Sequence, residues 1–153
     1  MLQLYKPCLD ELWFREQLLA DPDTMAYNHA WGGTIPFPHD RWHIWYDQWM
    51  HADESERFYR YLLHAETSEF VGEAAYRPED GRPMVSIIIS ARYRGRGFGT
   101  DALQLLCQAA KERGLTVLYD SIAADNPAVH LFLKNGFVLV SQNEEAILVQ
   151  KRL

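Results

Sequence analysis

Apolar positions along this chain change period several times, and each change marks an element. Residues 10 to 20 carry Leu12, Trp13 and Leu19 behind Asp10, a helix-capping residue type, and predict a first helix. Asp21-Pro22-Asp23 restarts a short helix, with Asp at the cap and Pro at the first position. Trp31-Gly32-Gly33-Thr34-Ile35-Pro36-Phe37-Pro38 has no period and reads as a loop. From Asp40 to about Met50, Trp42, Trp45, Tyr46 and Trp49 recur at i, i+3, i+4 and i+7, the stripe of a core-facing helix. Phe58 to Ala65 and Phe70 to Arg77 are aromatic and β-branched runs around the polar turn Glu66-Thr67-Ser68-Glu69, and predict a strand pair. A second turn, Pro78 to Pro83, leads into the apolar strand 84–90. Helical spacing returns over 101–113 and is closed by Gly114. A strand from Thr116 to Ile122, a helix from about Pro127 to Asn135, and strands Phe137 to Ser141 and Ala146 to Lys151 complete the chain. Met1-Leu2-Gln3-Leu4-Tyr5 is the candidate for a first strand.

This order constrains the fold. Strands joined by short turns pair antiparallel, whereas strand 84–90, its helix and strand 116–122 form a parallel β-α-β unit with a right-handed crossover. The expected result is an α/β fold of the α+β kind, a mixed sheet with helices on both faces. Helix 101–113 packs Ala102, Leu103, Leu106, Ala109 and Ala110 on that sheet. A length of 153 residues fits one domain, 1–153, and no repeat or linker interrupts it.

An apolar share of 48% with 24% charged residues is that of an ordinary soluble protein. The net charge of −6 argues against nucleic acid or an anionic membrane as partner. Neither a signal-peptide pattern nor a long apolar stretch is present, so a cytoplasmic location is expected. Cys8 and Cys107 make no disulfide framework, and Cys107 falls on an apolar helix face as a buried thiol.

Against this acidic background one segment is basic: Arg92-Tyr93-Arg94-Gly95-Arg96-Gly97-Phe98-Gly99-Thr100. It lies between a strand and a helix, where unpaired N–H groups and the positive end of the helix dipole suit a phosphate or diphosphate. A dinucleotide-binding turn fits poorly, because Arg94 stands where its first glycine belongs and antiparallel strands precede it. No Gly-Lys-Ser/Thr follows, which removes a P-loop, and the protein-kinase motifs are missing. A bare turn would leave three arginines repelling one another with no anion between them.

Arg94-Gly95-Arg96-Gly97-Phe98-Gly99 matches the pattern Gln/Arg-x-x-Gly-x-Gly/Ala, and Asp125-Asn126-Pro127-Ala128-Val129-His130-Leu131-Phe132-Leu133-Lys134-Asn135-Gly136-Phe137 resembles Asn-x-x-Ala-x-x-Leu-Tyr-x-Lys-x-Gly-Phe. In this order and at this separation the two segments resemble the GNAT superfamily of N-acetyltransferases. That resemblance implies a mixed, mostly antiparallel sheet flanked by helices, with a central β-α-β unit that binds acetyl-CoA. Strand 84–90 would splay from strand 116–122, and the pantetheine arm would pair with backbone near Ile88 and Ile89. N–H groups of Arg94, Gly95, Arg96, Gly97, Phe98, Gly99 and Thr100 would hold the diphosphate, with the Thr100 hydroxyl as a further donor. A primary amine of a small molecule or peptide would attack the thioester directly, and strand N–H groups would stabilise the oxyanion. A cationic acceptor suits the acidic chain. Two positions depart from the pattern. Asp125 stands at the usual Asn, with Asn126 adjacent, and Phe132 replaces a Tyr that protonates the leaving thiolate. The thiolate would then leave unassisted, take its proton from water, or take it from His130, whose position two residues away on the helix points it elsewhere. A non-catalytic acyl-CoA sensor, or transfer of another acyl group such as succinyl, are the rival readings.

The attacking amine must first lose a proton. Strand 84–90 has no carboxylate, so Glu73, a lone acid in the apolar strand Val71-Gly72-Glu73-Ala74-Ala75-Tyr76, is the candidate base; the competing reading faces it to solvent or an arginine. Residues 25 to 51 hold four of the five tryptophans and four of the six histidines. Of these, the loop Tyr27 to Thr34 sets aromatics on irregular backbone, so Tyr27, His29 and Trp31 are expected to line the acceptor site. His39 and His43 have no third ligand in register and predict no metal site. Exposed C-terminal strands leave a homodimer open.

Overall fold

A computed structural model describes the backbone of residues 1–153 and every side chain except that of Trp31. Seven strands form one sheet: β1 (Leu2–Tyr5), β2 (Phe58–His64), β3 (Glu69–Glu79), β4 (Arg82–Ile89), β5 (Val117–Ala123), β6 (Val138–Gln142) and β7 (Ala146–Arg152). Their order across the sheet is β1-β2-β3-β4-β5-β7-β6. Every neighbouring pair is antiparallel except β4 and β5. Those two are registered only at Met84 and Tyr119. β4 is meanwhile paired to β3 along its whole length, and β5 to β7. Each half of the sheet is continuously paired, and the two diverge at this one join.

Four helices cover the sheet: α1 (Trp13–Ala20), α2 (Trp42–Met50), α3 (Phe98–Glu112) and α4 (Val129–Lys134). Strand alternation divides the core in two. Phe58, Leu62, Ala74, Tyr76, Val85 and Leu118 face α3, which buries Ala102, Leu103, Leu106, Ala109 and Ala110 against them. Tyr59, Tyr61, Ala75 and Ile88 face the other way and meet Phe14, Leu18, Leu19 and Met25. Trp42, Trp45, Tyr46 and Trp49 pack on this second cluster, as their spacing predicts. Burying one such Leu contributes roughly 1.5–3 kcal/mol, so the helix that carries the basic loop is firmly seated.

Several boundaries differ from the sequence reading. The first helix is split into a 3-10 turn, Leu9–Glu11, and α1, because Glu11 and not Asp10 does the capping: its carboxylate accepts from the Cys8 N–H at 2.9 Å. A 3-10 segment runs over Thr24–Trp31, beyond the short helix expected after Asp21. Asp21 starts it by accepting from the Asp23 N–H and the Thr24 hydroxyl, at 3.2 and 2.6 Å. α3 begins at Phe98, three residues before the expected 101, so the glycine motif runs into the helix itself. β1 is a real strand, paired with β2 from Leu2 to Tyr5.

Gly72 fixes how β3 and β4 fit together. Pairing passes from Leu62–Gly72 to Leu63–Phe70, which leaves Val71 as a bulge residue. A Cβ on Gly72 would lie 2.2 Å from the Ile88 carbonyl oxygen, so only glycine lets the two backbones approach this closely.

Candidate active site

Where β4 and β5 part, a cleft of about 980 Å³ opens. Met84 to Ile89 form one wall, Asp120 to Ala123 the other, and α4 residues Leu131 and Phe132 close the side. Its open end meets the start of α3. There Gly95 and Gly97 have φ of +76° and +79°, left-handed values on either side of Arg96 that turn successive amides the same way. Arg94 N–H donates to the Ala91 carbonyl and Asp101 N–H to the Gly97 carbonyl. Among the described residues, no chain acceptor takes the N–H groups from Gly95 to Thr100 between them. Such a run of free amides at a helix N-terminus attracts an anion. Gly99 sits where a Cβ would come within 3.1 Å of Leu131 Cδ2, which lets α3 pass close to α4.

The arginines divide their tasks. Arg92 and Arg96 lie over the Tyr93 ring, 5.0 and 5.6 Å from its centroid. Arg94 turns instead to the 3-10 segment, donating to the Thr24 and Asp23 carbonyls at 2.7 and 3.2 Å. Thr24 is fully buried and its hydroxyl accepts from the Ala91 N–H at 3.0 Å. The loop and the segment Thr24–Trp31 are therefore stitched together.

Of the residues singled out in the sequence, Ile88, Ile89, Arg94, Gly95, Phe98, Gly99, Asn126, Phe132, Tyr27 and His29 line the cleft. Arg96, Gly97 and Thr100 belong to the same loop but not to the cleft wall. Asn126 spends its side-chain oxygen on the Ala128 N–H at 2.9 Å, which starts α4. Phe132 is buried edge-on against Phe137, with centroids 5.0 Å apart, and offers no proton. Tyr27 has its phenol pushed up to about 12, first by burial and then by Glu73 and Asp120, so it stays neutral. His29 reaches across the mouth to Asp125, with Nε2 and Oδ2 3.1 Å apart. Trp31 lies outside the described side chains.

Glu73 is placed otherwise than a free base requires. It is 3% exposed and is not part of the cleft wall. Arg15 Nη1 donates to its two oxygens at 2.8 and 3.1 Å, and the Tyr59 hydroxyl donates at 2.7 Å. The Arg15 guanidinium is itself enclosed by Phe37, Trp45 and Tyr59, at 5.0, 4.5 and 5.4 Å from their centroids. Of the two alternatives for Glu73, the arginine partner is the one present, and every carboxylate oxygen is already engaged.

Asp120 is the cleft residue that sequence reasoning passed over. It keeps a little surface toward the cleft and is packed on its other sides. Burial pushes its carboxyl well above the ordinary range, opposed by the Ser121 N–H and Arg77 and reinforced by Glu79. The signal that picked out Glu73, a lone acid in an apolar strand, applies equally to Val117-Leu118-Tyr119-Asp120-Ser121-Ile122.

Comparison with known proteins agrees with this geometry. The chain is similar in structure to spermidine N-acetyltransferase from Vibrio cholerae in complex with CoA and spermine, at 19% identity and a TM-score of 0.78, covering 99% of this chain and 94% of that one. It is similar to a phosphinothricin acetyltransferase from Sinorhizobium meliloti in complex with AcCoA, at 16% identity and 0.78, covering 99% and 88%. A third neighbour is ribosomal-protein-alanine N-acetyltransferase from Brucella melitensis, at 21% identity and 0.75, covering 100% and 99%. No curated protein matches the sequence. At these identities the neighbours show the fold. The acetyltransferase (GNAT) domain model matches residues 2–138, and with the splayed strands and the glycine loop in place, the chain belongs to the GNAT acetyltransferase family.

Proposed function

We propose that this protein moves an acetyl group from acetyl-CoA to a primary amine of a small molecule or peptide, by direct attack in a ternary complex. One observation carries the reading: amides from Gly95 to Thr100 without a chain acceptor, at the open end of a cleft between splayed strands. The diphosphate would take those amides, and the pantetheine arm would run inward along β4 beside Ile88 and Ile89 as an added strand does. Backbone N–H groups of β4 would meet the oxyanion as the tetrahedral centre forms.

The far end of the cleft supports an amine acceptor. Glu79 and Asp120 line it against the single Arg77, while His29 and Asp125 pair with each other at the mouth. A cationic amine suits that field. The spermine-bound neighbour and the alanine N-acetyltransferase neighbour supply the two acceptor types worth testing. Titration calorimetry with CoA and acetyl-CoA tests the coenzyme site. Release of free thiol with spermine and with an alanine-terminated peptide tests transfer. No heat with either coenzyme form would remove the reading.

Phe132 favours one alternative, a coenzyme-binding module without turnover, since it cannot protonate a thiolate. Tight CoA binding with no thiol release across an amine panel would support that alternative. Release with succinyl-CoA in preference to acetyl-CoA would change the acyl group and leave the site intact.

A further inference from the structure

We propose that Asp120 takes the proton from the incoming amine, a role that rests on the acetyl-transfer reading and assigns its missing base. The placement comes first. Tyr119 is the one β5 residue registered with β4, at Met84, and Asp120 is the next residue along. It therefore stands where the strands part, at the inner end of the cleft. From Ile89 to Met84 the exposed edge of β4 measures about 17 Å at ~3.3 Å per residue. A pantetheine arm entering at the glycine loop points its thioester toward that end.

Its surroundings leave Asp120 free to act. Continuing the Met84–Tyr119 register puts Val85 of β4 beside it, and β7 presents Val149 opposite, neither of them titratable. The charged groups whose fields reach it are Arg77 and Glu79 of β3. These two are paired with each other at 3.2 Å. The field of Asp120 also reaches the Tyr27 phenol on the 3-10 segment, and His29 and Asp125 hold each other at the mouth. Among the described residues no side-chain donor bonds to the Asp120 carboxylate, whereas Glu73 is fully occupied by Arg15 and Tyr59. A carboxylate short of partners is a stronger base than one that is solvated, and an ammonium is the counter-charge it lacks.

The proton balance closes without a tyrosine at 132. An ammonium R-NH3⁺ gives one proton to the Asp120 carboxylate and becomes R-NH2. Its lone pair forms the C–N bond at the thioester carbonyl, and the tetrahedral centre collapses with cleavage of C–S. The second proton on nitrogen passes to the departing thiolate, directly or through one water, leaving the neutral amide and free CoA-SH. Asp120 then returns its proton to solvent. Phe132 keeps that side of the cleft dry and need not donate.

Asp120→Asn preserves shape and removes the base. The test has two arms. In the first, thiol release from acetyl-CoA is followed from pH 5.5 to 9 with spermine and with an alanine-terminated peptide. The variant is expected to lose about a hundredfold or more in kcat, to lack the low-pH limb expected of the wild type, and to bind CoA unchanged by calorimetry. The second arm needs no acceptor: infrared titration of the free protein should show one carboxyl C=O band that persists above the ordinary carboxylate range and is absent from the variant. Turnover within threefold of wild type, with CoA binding intact, overturns the role. So does the absence of any band that the variant loses, including the case in which neither acceptor reacts. Failure of the wild type to bind CoA is read separately, because it removes the acetyl-transfer reading on which the role stands.

Discussion

Replacing Glu73 by glutamine leaves Arg15 buried without its charge partner. Arg15 and Glu73 have side chains only 17% and 4% exposed, so water cannot repair the loss. Arg15 Nε is already buried with no partner, which makes the guanidinium dependent on what Glu73 supplies. Breaking a buried pair by removing one member costs about 3–5 kcal/mol. Two features pull the figure to the low end. Glutamine still accepts from the Tyr59 hydroxyl, and each of three aromatic rings gives the cation roughly 0.5–1 kcal/mol. The expected loss is about 3 kcal/mol, or about 6–12 °C in midpoint for a chain of this length. Urea unfolding of the wild type, Glu73→Gln, Arg15→Met and the double variant forms a cycle, with a coupling energy of about 2 kcal/mol or more expected. Adding Tyr59→Phe to Arg15→Met with Glu73→Met removes every polar member and should return stability to within about 1 kcal/mol of wild type. A Glu73→Gln loss below about 1 kcal/mol, or strictly additive single losses, would refute the idea that this pair is a structural unit. An altered rate limb in the variant without any loss of stability would give Glu73 back a chemical role.

Three further outcomes are expected. Gly72→Ala puts a Cβ against the Ile88 carbonyl, 2.2 Å away, and should cost about 3 kcal/mol in urea unfolding while weakening CoA binding through the displaced β4; unchanged values for both would contradict the close approach. Gly97→Ala meets nothing within 4 Å but must hold φ near +79°, so about 1–2 kcal/mol should be lost, divided between the unfolding midpoint and CoA affinity as measured by calorimetry. Asp120→Asn should stabilise the free protein at pH 7.5. A carboxyl held above its unfolded value favours folding below about pH 4 and loses that contribution as pH rises through its folded value, so the gain over wild type should shrink on acidification; a constant difference across pH would argue against a desolvated acid.

The parts of this molecule that were legible in sequence are those written locally. Strand 84–90, its glycine loop and the following helix are contiguous, and the chemistry of free amides depends only on that local turn. The helix starts before its apolar spacing predicts because Gly97 takes a left-handed φ and acts as the cap, a role its lack of a side chain does not advertise. Glu73 and Asp120 had the same local signature, and only the pairing of strands and helices separates them. Arg15, which occupies Glu73, lies 58 residues away in sequence and on a different element. The segment Thr24–Trp31 outruns the short helix its sequence predicts for another reason: a 3-10 run shows no 3.6-residue stripe, and its start is held by Asp21, Thr24 and the contact with Arg94.

The stitching of Thr24 and Arg94 to the coenzyme loop has a kinetic consequence. On the proposed reading, one wall of the amine pocket would hang from the same backbone that takes the diphosphate, so a loop stiffened by its anion would also steady Tyr27 and His29. Compulsory ordering would follow, with the thioester entering first and the amine second, and spermine alone should dock weakly. Residues 23 and 24, bonded to Arg94 and Ala91, are the hinge pin that joins the two segments.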